Sequence, residues 1–413
     1  MVPCSAYFPV LKYAWSERKL AAVKQAKEEL FHLAVSATFG ASFLQAQYMG
    51  MEVKSFAGEE FIGLPIIGLW VGDTPERHLV SLVKGSHDPT STESSDTWAN
   101  LDTPFEIRSV QVGMDVYKGA LEHYNAGQYR EMIDLCNQHG FSCNSLIRRP
   151  LRPLLNACFS FRWFSPYSGV PPEEMHDFAG IFLMLLNCFK KLVQHAYSGV
   201  QGTRAFQYID HSYKQMPHFN GLGTFLNGIM HLKTFTALRL RALMMTCVCV
   251  FADVFEDDAF TEMFVIFIEL FSCWKSNAHT DSTLQQVGEL VLSFHAKGTE
   301  LLANPEAPLQ ASLMATQKVH SLKKLTYYGR QFGPPANYSA NVLEELHKKA
   351  AKEPFRSTMG VGQEQQIVNF VTRHHTMLSQ SKIMDLLYTE DDGDTGRPPV
   401  EVHTLRGAVA MPY

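Results

Sequence analysis

ALMMTCVCVFADVFEDDAFTEMFVIFIELFSCW, residues 242–274, joins two apolar runs through a cluster of carboxylates. Where such a segment resides decides the fold class, and a bilayer, a cofactor pocket and the interior of a helical protein are the candidates. The first run, Ala242 to Ala252, has eleven uncharged residues before Asp253, and the second, Met263 to Ile268, has six before Glu269. A bilayer span requires about 20 apolar residues, so a pair of membrane helices is excluded. Burial inside protein remains. The sequence predicts a helical corner, with helices at 224–254 and 258–274 that are apolar nearly all round. Asp257 or Asp258 stands where the second helix begins, placed to cap its free N–H groups and meet the positive end of its dipole.

Working outward, the helical period persists on both sides of this corner. In PPEEMHDFAGIFLMLLNCFKKLVQHAYSG, Pro172 and two glutamates open a helix, Phe178, Ile181, Phe182, Leu185, Phe189 and Val193 fill one face, and Lys190, Lys191 and Gly199 close it. Further helices are predicted at 203–215, 281–303, 308–328, 339–352 and 363–387. Residues 16–38 place Leu20, Val23, Leu30, Ala34 and Thr38 on one stripe opposite Lys and Glu, the mark of an amphipathic helix. VYKGALEHYNAGQYREMIDLCNQHG, residues 116–140, resembles one tetratricopeptide-type hairpin, without a second copy at a period of 34 residues. FIGLPIIGLWVG and FEIRSVQVGM, by contrast, carry Gly and Pro punctuation or alternation and predict short strands or extended segments. Between them runs the polar stretch KGSHDPTSTESSDTWANLDTP.

The expected fold class is therefore mainly α. A helical segment over 1–50 precedes a small mixed or extended region over about 51–114, with a projecting polar loop at 84–104. A large helical domain covers 115–388, and 389–413, with an acidic run and Gly and Pro, is expected as an extended or disordered arm.

Composition narrows the chemistry. With 36 Lys and Arg against 41 Asp and Glu, the net charge of −5 gives no global footprint for nucleic acid or an anionic membrane. Eight cysteines are scattered through apolar stretches, which fits free thiols in a reducing compartment. The opening MVPCSAYFPVLKYAW has no basic n-region and no apolar h-region, so neither signal nor transit peptide is expected. CNQHGFSC offers Cys136, His139 and Cys143 at a spacing suited to zinc but marks no fourth ligand. FNGLGTFLNG lacks the preceding strand that a dinucleotide fingerprint requires. Asp253 and Asp257 lie one turn apart, as magnesium-binding acids do in terpene synthases, but the DDxxD pattern of that family is missing. Walker A, GxSxG, HExxH and paired CxxC motifs are all lacking. No catalytic, cofactor-binding or metal residue is assigned, and the expectation is a protein without enzyme activity.

The local basic stretches are more suggestive. Arg148, Arg149, Arg152 and Arg162 stand among Phe161, Trp163, Phe164 and Tyr167, and Lys323, Lys324 and Arg330 beside Tyr327 and Tyr328. Cations mixed with aromatic faces are the surface on which phosphates and unstacked bases bind, so these seven are the RNA-contact candidates. A helix-dominated chain with many aromatics, buried thiols, a projecting loop, a loose tail and no catalytic frame resembles the coat proteins of small segmented double-stranded RNA viruses, the partitivirus type. That resemblance implies a capsid subunit in the virion and host cytoplasm. It assembles with itself from a homodimer, encloses RNA through weak and non-specific contacts, and needs no cofactor and no membrane. The alternative is the nucleoprotein of a negative-strand RNA virus, which must line one continuous groove with cations. A cellular helical adaptor or an all-α enzyme stands behind both.

Overall fold

Apolar residues at every third or fourth position force one stripe of a helix out of water, and the stripe Phe178, Ile181, Phe182, Leu185, Phe189 and Val193 is fully buried in the computed structural model. The structure describes residues 21–55, 58–143, 151–197, 199–217, 222–232, 235–254, 259–303, 313–340, 348–358 and 362–388. They fall into two compact units, Met1–Leu343 and Glu344–Tyr413. The protein is mainly α, and among the described residues the only sheet is a two-stranded antiparallel hairpin.

The first unit begins with α1 (Ala21–Thr38), α2 (Ala41–Met49), the hairpin β1 (Met51–Lys54) and β2 (Glu60–Gly63), and α3 (Thr74–Ser81). α4 (Val110–Asn125) and α5 (Tyr129–Gln138) follow, and then α6 (Glu174–Ala196), α7 (Val200–Gln215), α8 (Ala237–Phe251), α9 (Ala259–Trp274) and α10 (Asp281–Ala303). Two short helices, α11 (Gln317–Leu322) and α12 (Leu325–Phe332), come last. In the second unit, a turn at Lys348–Lys352 and a short helix at Glu353–Arg356 precede the helix Gln363–Tyr388.

The core of the first unit is the stripe of α6 set against the corner of α8 and α9. Phe189 stacks on Phe251 with ring centroids 3.8 Å apart, Phe182 meets Phe264 at 5.8 Å, and Phe178 meets Phe267 at 5.7 Å. α10 closes the other side, with Phe294 at 5.2 Å from Phe267. In the described part of the run 242–274 one face of each helix is thus buried inside protein, while Met245, Cys249 and Val265 stay exposed on the other, so the helices are not buried nearly all round as expected. Among the described residues no helix is long and apolar enough to cross a membrane. Asp257, Asp258 and the arm at 389–413 lie outside the described residues.

α4 and α5 form the expected hairpin, with Ala120, Met132 and Cys136 buried between them and Gly127 in the left-handed conformation at the turn. A second cluster packs Phe31 and Val35 of α1 on Val80 of α3 and on Ala157, Cys158, Phe161 and Phe164. Inside it His32 accepts the Ala157 N–H at Nδ1 (3.2 Å) and donates from Nε2 to Leu79 O (3.1 Å); burial, against that bond, pulls its pKa down to about 4.

Local capping corrects several boundaries. FEIRSVQVGM is not a strand beyond Ser109, because the Ser109 hydroxyl accepts the Val112 N–H and starts α4. The helix expected at 224–254 begins only at Ala237, capped by Thr236, and 222–232 is irregular, held where Asp210 accepts the N–H groups of Ile229 and Met230. Of the helix expected over 308–328, residues 308–312 lie outside the described residues, 313–316 precede the first helical turn, and the rest is two short helices with a turn at Lys323 and Lys324. α2 and α3 had no apolar period to announce them; α3 is fixed by Asp73, whose carboxylate accepts the Glu76 N–H at 2.9 Å.

Removing a ring from this core leaves a cavity costing about 3–5 kcal/mol. Phe251→Ala and Phe267→Ala are each expected to lower the free energy of unfolding by that order, read as a fall in the urea midpoint. A parent-like midpoint for both would make the corner peripheral.

Candidate functional site

The two basic stretches reach different fates. Lys324, expected to face RNA, is fully buried, and this corrects the expectation: an ammonium without access to solvent touches no phosphate. It sits 3.2 Å from Asp88 Oδ2 and 4.0 Å from Glu93 Oε2, both carboxylates coming from the polar loop 84–104. Lys323, whose side chain is only 6% exposed, donates to Glu93 Oε1 at 2.7 Å and to Asn100 O at 3.0 Å. His320 Nε2 lies 2.9 Å from Glu93 Oε2. The N–H groups of Thr90 and Ser91 donate to Asp88 Oδ1 at 2.8 and 2.9 Å, and Arg108 Nε donates to Asp88 O at 2.9 Å. Asp88 to Ser91 are therefore clamped inside the protein, while Gly85, Ser86, Thr92, Ser95, Asp96, Thr97, Ala99, Asn100, Asp102, Thr103 and Pro104 of the loop are exposed.

Burial alone raises the Asp88 carboxyl, but Lys324, Arg77 and His320 outweigh it and hold Asp88 well below the usual carboxylate range. Burial also raises Glu93, and hydrogen bonds with His320 and Lys323 more than reverse this, to about 2. Lys324 is lowered by burial against the pull of the same two carboxylates. The cluster is a closed ionic clasp whose charges are spent on one another.

Of the remaining candidates, Arg330 pairs with Asp281 at 3.2 Å, both side chains largely in solvent, an arrangement worth little. Arg152 is exposed, its carbonyl accepting from Gln25 Nε2 at 2.8 Å. Arg148 and Arg149 lie outside the described residues.

Arg162 stands apart. Its guanidinium lies over Trp163 at 4.1 Å and over Tyr48 at 4.8 Å, both within cation–π range, and Nη1 donates to Gln47 O at 3.3 Å. Its backbone N–H donates to Oε1 of the fully buried Gln47 at 3.0 Å, which fixes the segment to α2. Trp163 is 56% exposed and has φ of +62°, a left-handed backbone that costs a bulky residue about 1–2 kcal/mol. Phe161, Phe164 and Tyr167, expected beside it, turn inward. Among the described residues of that stretch, the cation–aromatic pair formed is Arg162 with Trp163.

The platform continues into a run of uncovered apolar side chains: Met49, Met51, Phe61, Ile62, Leu64 and Ile66 are all about half exposed or more. In the hairpin Met51 pairs with Gly63 and Val53 with Phe61, so Met51, Val53 and Phe61 share one face, whereas Ile62, opposite Glu52, points to the other. Scattered exposed apolar residues need no explanation, but several on one short hairpin, following directly on the Tyr48 that stacks with Arg162, have the composition of a protein interface. The sequence texture did not mark the hairpin as functional, because its four-residue strands give too short a pattern.

Other candidates close on inspection of their contacts. A hydrogen bond with Cys143, and burial after it, raise the Cys136 thiol far above its ordinary value. Among the described residues no group of three or more His, Cys, Asp and Glu is placed to hold a metal ion. Asp253 is exposed and accepts from Tyr208 OH at 3.2 Å, and Asp257 lies outside the described residues. No family model and no curated protein matches the sequence.

Two outcomes follow from this geometry. Asp88 and Glu93 have depressed folded pKa values, so their contribution is complete above the ordinary 4.5 of a glutamate and is lost as pH falls toward about 2. Glu93→Gln is expected to destabilise the protein at neutral pH and flatten the dependence of its urea midpoint on pH across that window; an unchanged profile would mean the clasp carries no stability. Trp163→Gly relieves the left-handed backbone and is expected to keep or raise stability by up to about 1 kcal/mol in urea unfolding. A loss of stability would show that the ring is a packing element.

Proposed function

We propose that this chain is a structural protein that works by assembling with itself, a capsid subunit forming a closed shell around an RNA genome. The observation that carries the self-assembly reading is the uncovered apolar surface of the hairpin, bordered by the strained Trp163 and the stacked Arg162. A strained, solvent-facing tryptophan costs a monomer stability without return, whereas burial against another subunit recovers it. The shell, and the RNA within it, come from the resemblance to partitivirus-type coat proteins in size and texture.

The clasp favours a shell over a nucleoprotein. A nucleoprotein needs free cations along a groove, yet Lys323 and Lys324 are neutralised by Asp88 and Glu93, and Arg330 has Asp281 at hand. A shell whose RNA moves past a polymerase gains from weak phosphate contact. In this reading the rim of the loop 84–104 lies on a subunit surface, and the protein performs no catalysis.

Electron microscopy of the purified protein in excess reductant, with sedimentation at micromolar concentration, tests the proposal. Closed particles or their dimeric building block are expected. Binding of a short single-stranded RNA should show a shallow log-log salt dependence, against a slope of about −0.7 for each phosphate contacted. Ring-like or helical strings with RNA and a steep slope would promote the nucleoprotein. A monomer at all concentrations would remove both.

A further inference from the structure

Resting on the self-assembly reading, we infer that the open edge of β1 is a twofold contact: it pairs antiparallel with β1 of a second copy, about an axis at Val53.

Antiparallel pairing alternates hydrogen-bonded and non-hydrogen-bonded residue pairs, and this fixes which groups of β1 face outward. Ser55 N donates to Glu59 O at 2.8 Å, so Ser55 and Glu59 form a hydrogen-bonded pair. The register continues as Lys54 with Glu60, Val53 with Phe61, Glu52 with Ile62 and Met51 with Gly63. Val53 and Met51 therefore spend their N–H and C=O groups on β2, and Glu52 and Lys54 point theirs to the free edge. Among the described residues, neither Glu52 nor Lys54 makes a backbone hydrogen bond outside the hairpin.

A second β1 meets this edge only in registers that set outward residues opposite one another, so a twofold axis must fall on Glu52, Val53 or Lys54. On Glu52 it opposes two glutamates, and on Lys54 two lysines. On Val53 it opposes Glu52 to Lys54 of the second copy, and Lys54 to its Glu52, with four new backbone hydrogen bonds. Charge thus selects one register of three. Lysine on an edge is ordinarily a device that blocks pairing, but opposite charges two residues apart are complementary to their own rotated image.

The faces of the resulting four-stranded sheet are consistent with the choice. On one, each Lys54 lies between Glu60 of its own hairpin, an ion pair at 2.6 Å, and Glu52 of the other copy. On the other, Phe61 and Val53 of each copy form one apolar row across the axis. An isolated two-stranded hairpin is marginal in water, and three or more strands with an apolar face are not. The free edge of β2 offers no equivalent, since it would set Glu60 against Ile62 or Leu64. A second copy is therefore the occupant that this edge fits.

The test is sedimentation equilibrium of the full chain with Glu52→Lys, Lys54→Glu and both together. Each single change opposes like charges at two places per dimer and is expected to weaken dimerisation by about tenfold or more, while the double change restores it by exchanging the charges. Thermal melts monitor folding, which exposed positions should leave intact. Val53→Cys should in addition yield a disulfide-linked dimer on mild oxidation that the parent does not, because a non-hydrogen-bonded pair brings Cα atoms to about 4.5 Å. If the parent assembles but the single variants assemble equally well, or the double fails to restore them, the contact lies elsewhere and self-assembly stands. A monomeric parent overturns the self-assembly reading and this inference with it.

Discussion

An ammonium group with no path to water must be matched by carboxylates, and Lys324 imposes that constraint on this fold. Leaving a buried charge unpaired costs about 3–5 kcal/mol, so the polar loop 84–104 is obliged to bring Asp88 and Glu93 to the turn between α11 and α12. The loop has almost no regular structure of its own, only isolated bridges such as His87 with Ser94 and Ser91 with Ile107. Its shape is set by ionic and hydrogen-bonded contacts with the helical part. Arg77 extends the same logic to α3, donating from Nε to Val170 O at 3.0 Å and facing Asp177 at 3.9 Å. Polar partners thus join the irregular part of the first unit to its helices, beside apolar contacts such as Leu101 in the main core and Trp98 stacked on His320.

What the sequence made legible was what periodicity can carry. The stripe of α6 repeats over enough turns to fix both helix and buried face, and the structure agrees with it residue by residue. The two runs of the α8–α9 corner fix helix type, but only one face of each is buried, with Met245, Cys249 and Val265 left exposed. α2 and α3, nine and eight residues long, are too short for a period to emerge, and α3 depends on the single cap at Asp73. Valines alternating in VQVGM looked extended until the Ser109 hydroxyl took the first free N–H. For α3 and α4 one capping hydrogen bond outweighed the local pattern.

The candidate site was less legible, because a lysine reads the same in sequence whether it faces solvent or a buried carboxylate. Lys323 and Lys324 were grouped with Arg162 by their aromatic neighbours, yet the carboxylates that capture them lie in a segment that reads as a surface loop. Arg162 kept its place on the surface because its neighbours Trp163 and Tyr48 remain outside, one of them through a strained backbone. The hairpin edge was invisible at first reading: its meaning lies in the parity of hydrogen bonding along four residues, which a register reveals and a composition does not.

The clasp also sets an order of events at the ribosome. Glu93 finds Lys323 across 230 residues of chain. At a synthesis rate of about 5–20 residues per second, its partner emerges roughly 10–50 s later. For that interval the loop's carboxylates are hydrated and the loop has no reason to adopt its final path, whereas the α4–α5 hairpin, built from neighbours in sequence, can already be complete. The polar loop thus waits on α11 and α12, so a ribosome stalled before residue 323 would carry a nascent chain whose α4–α5 hairpin can be made while its polar loop is still unfixed.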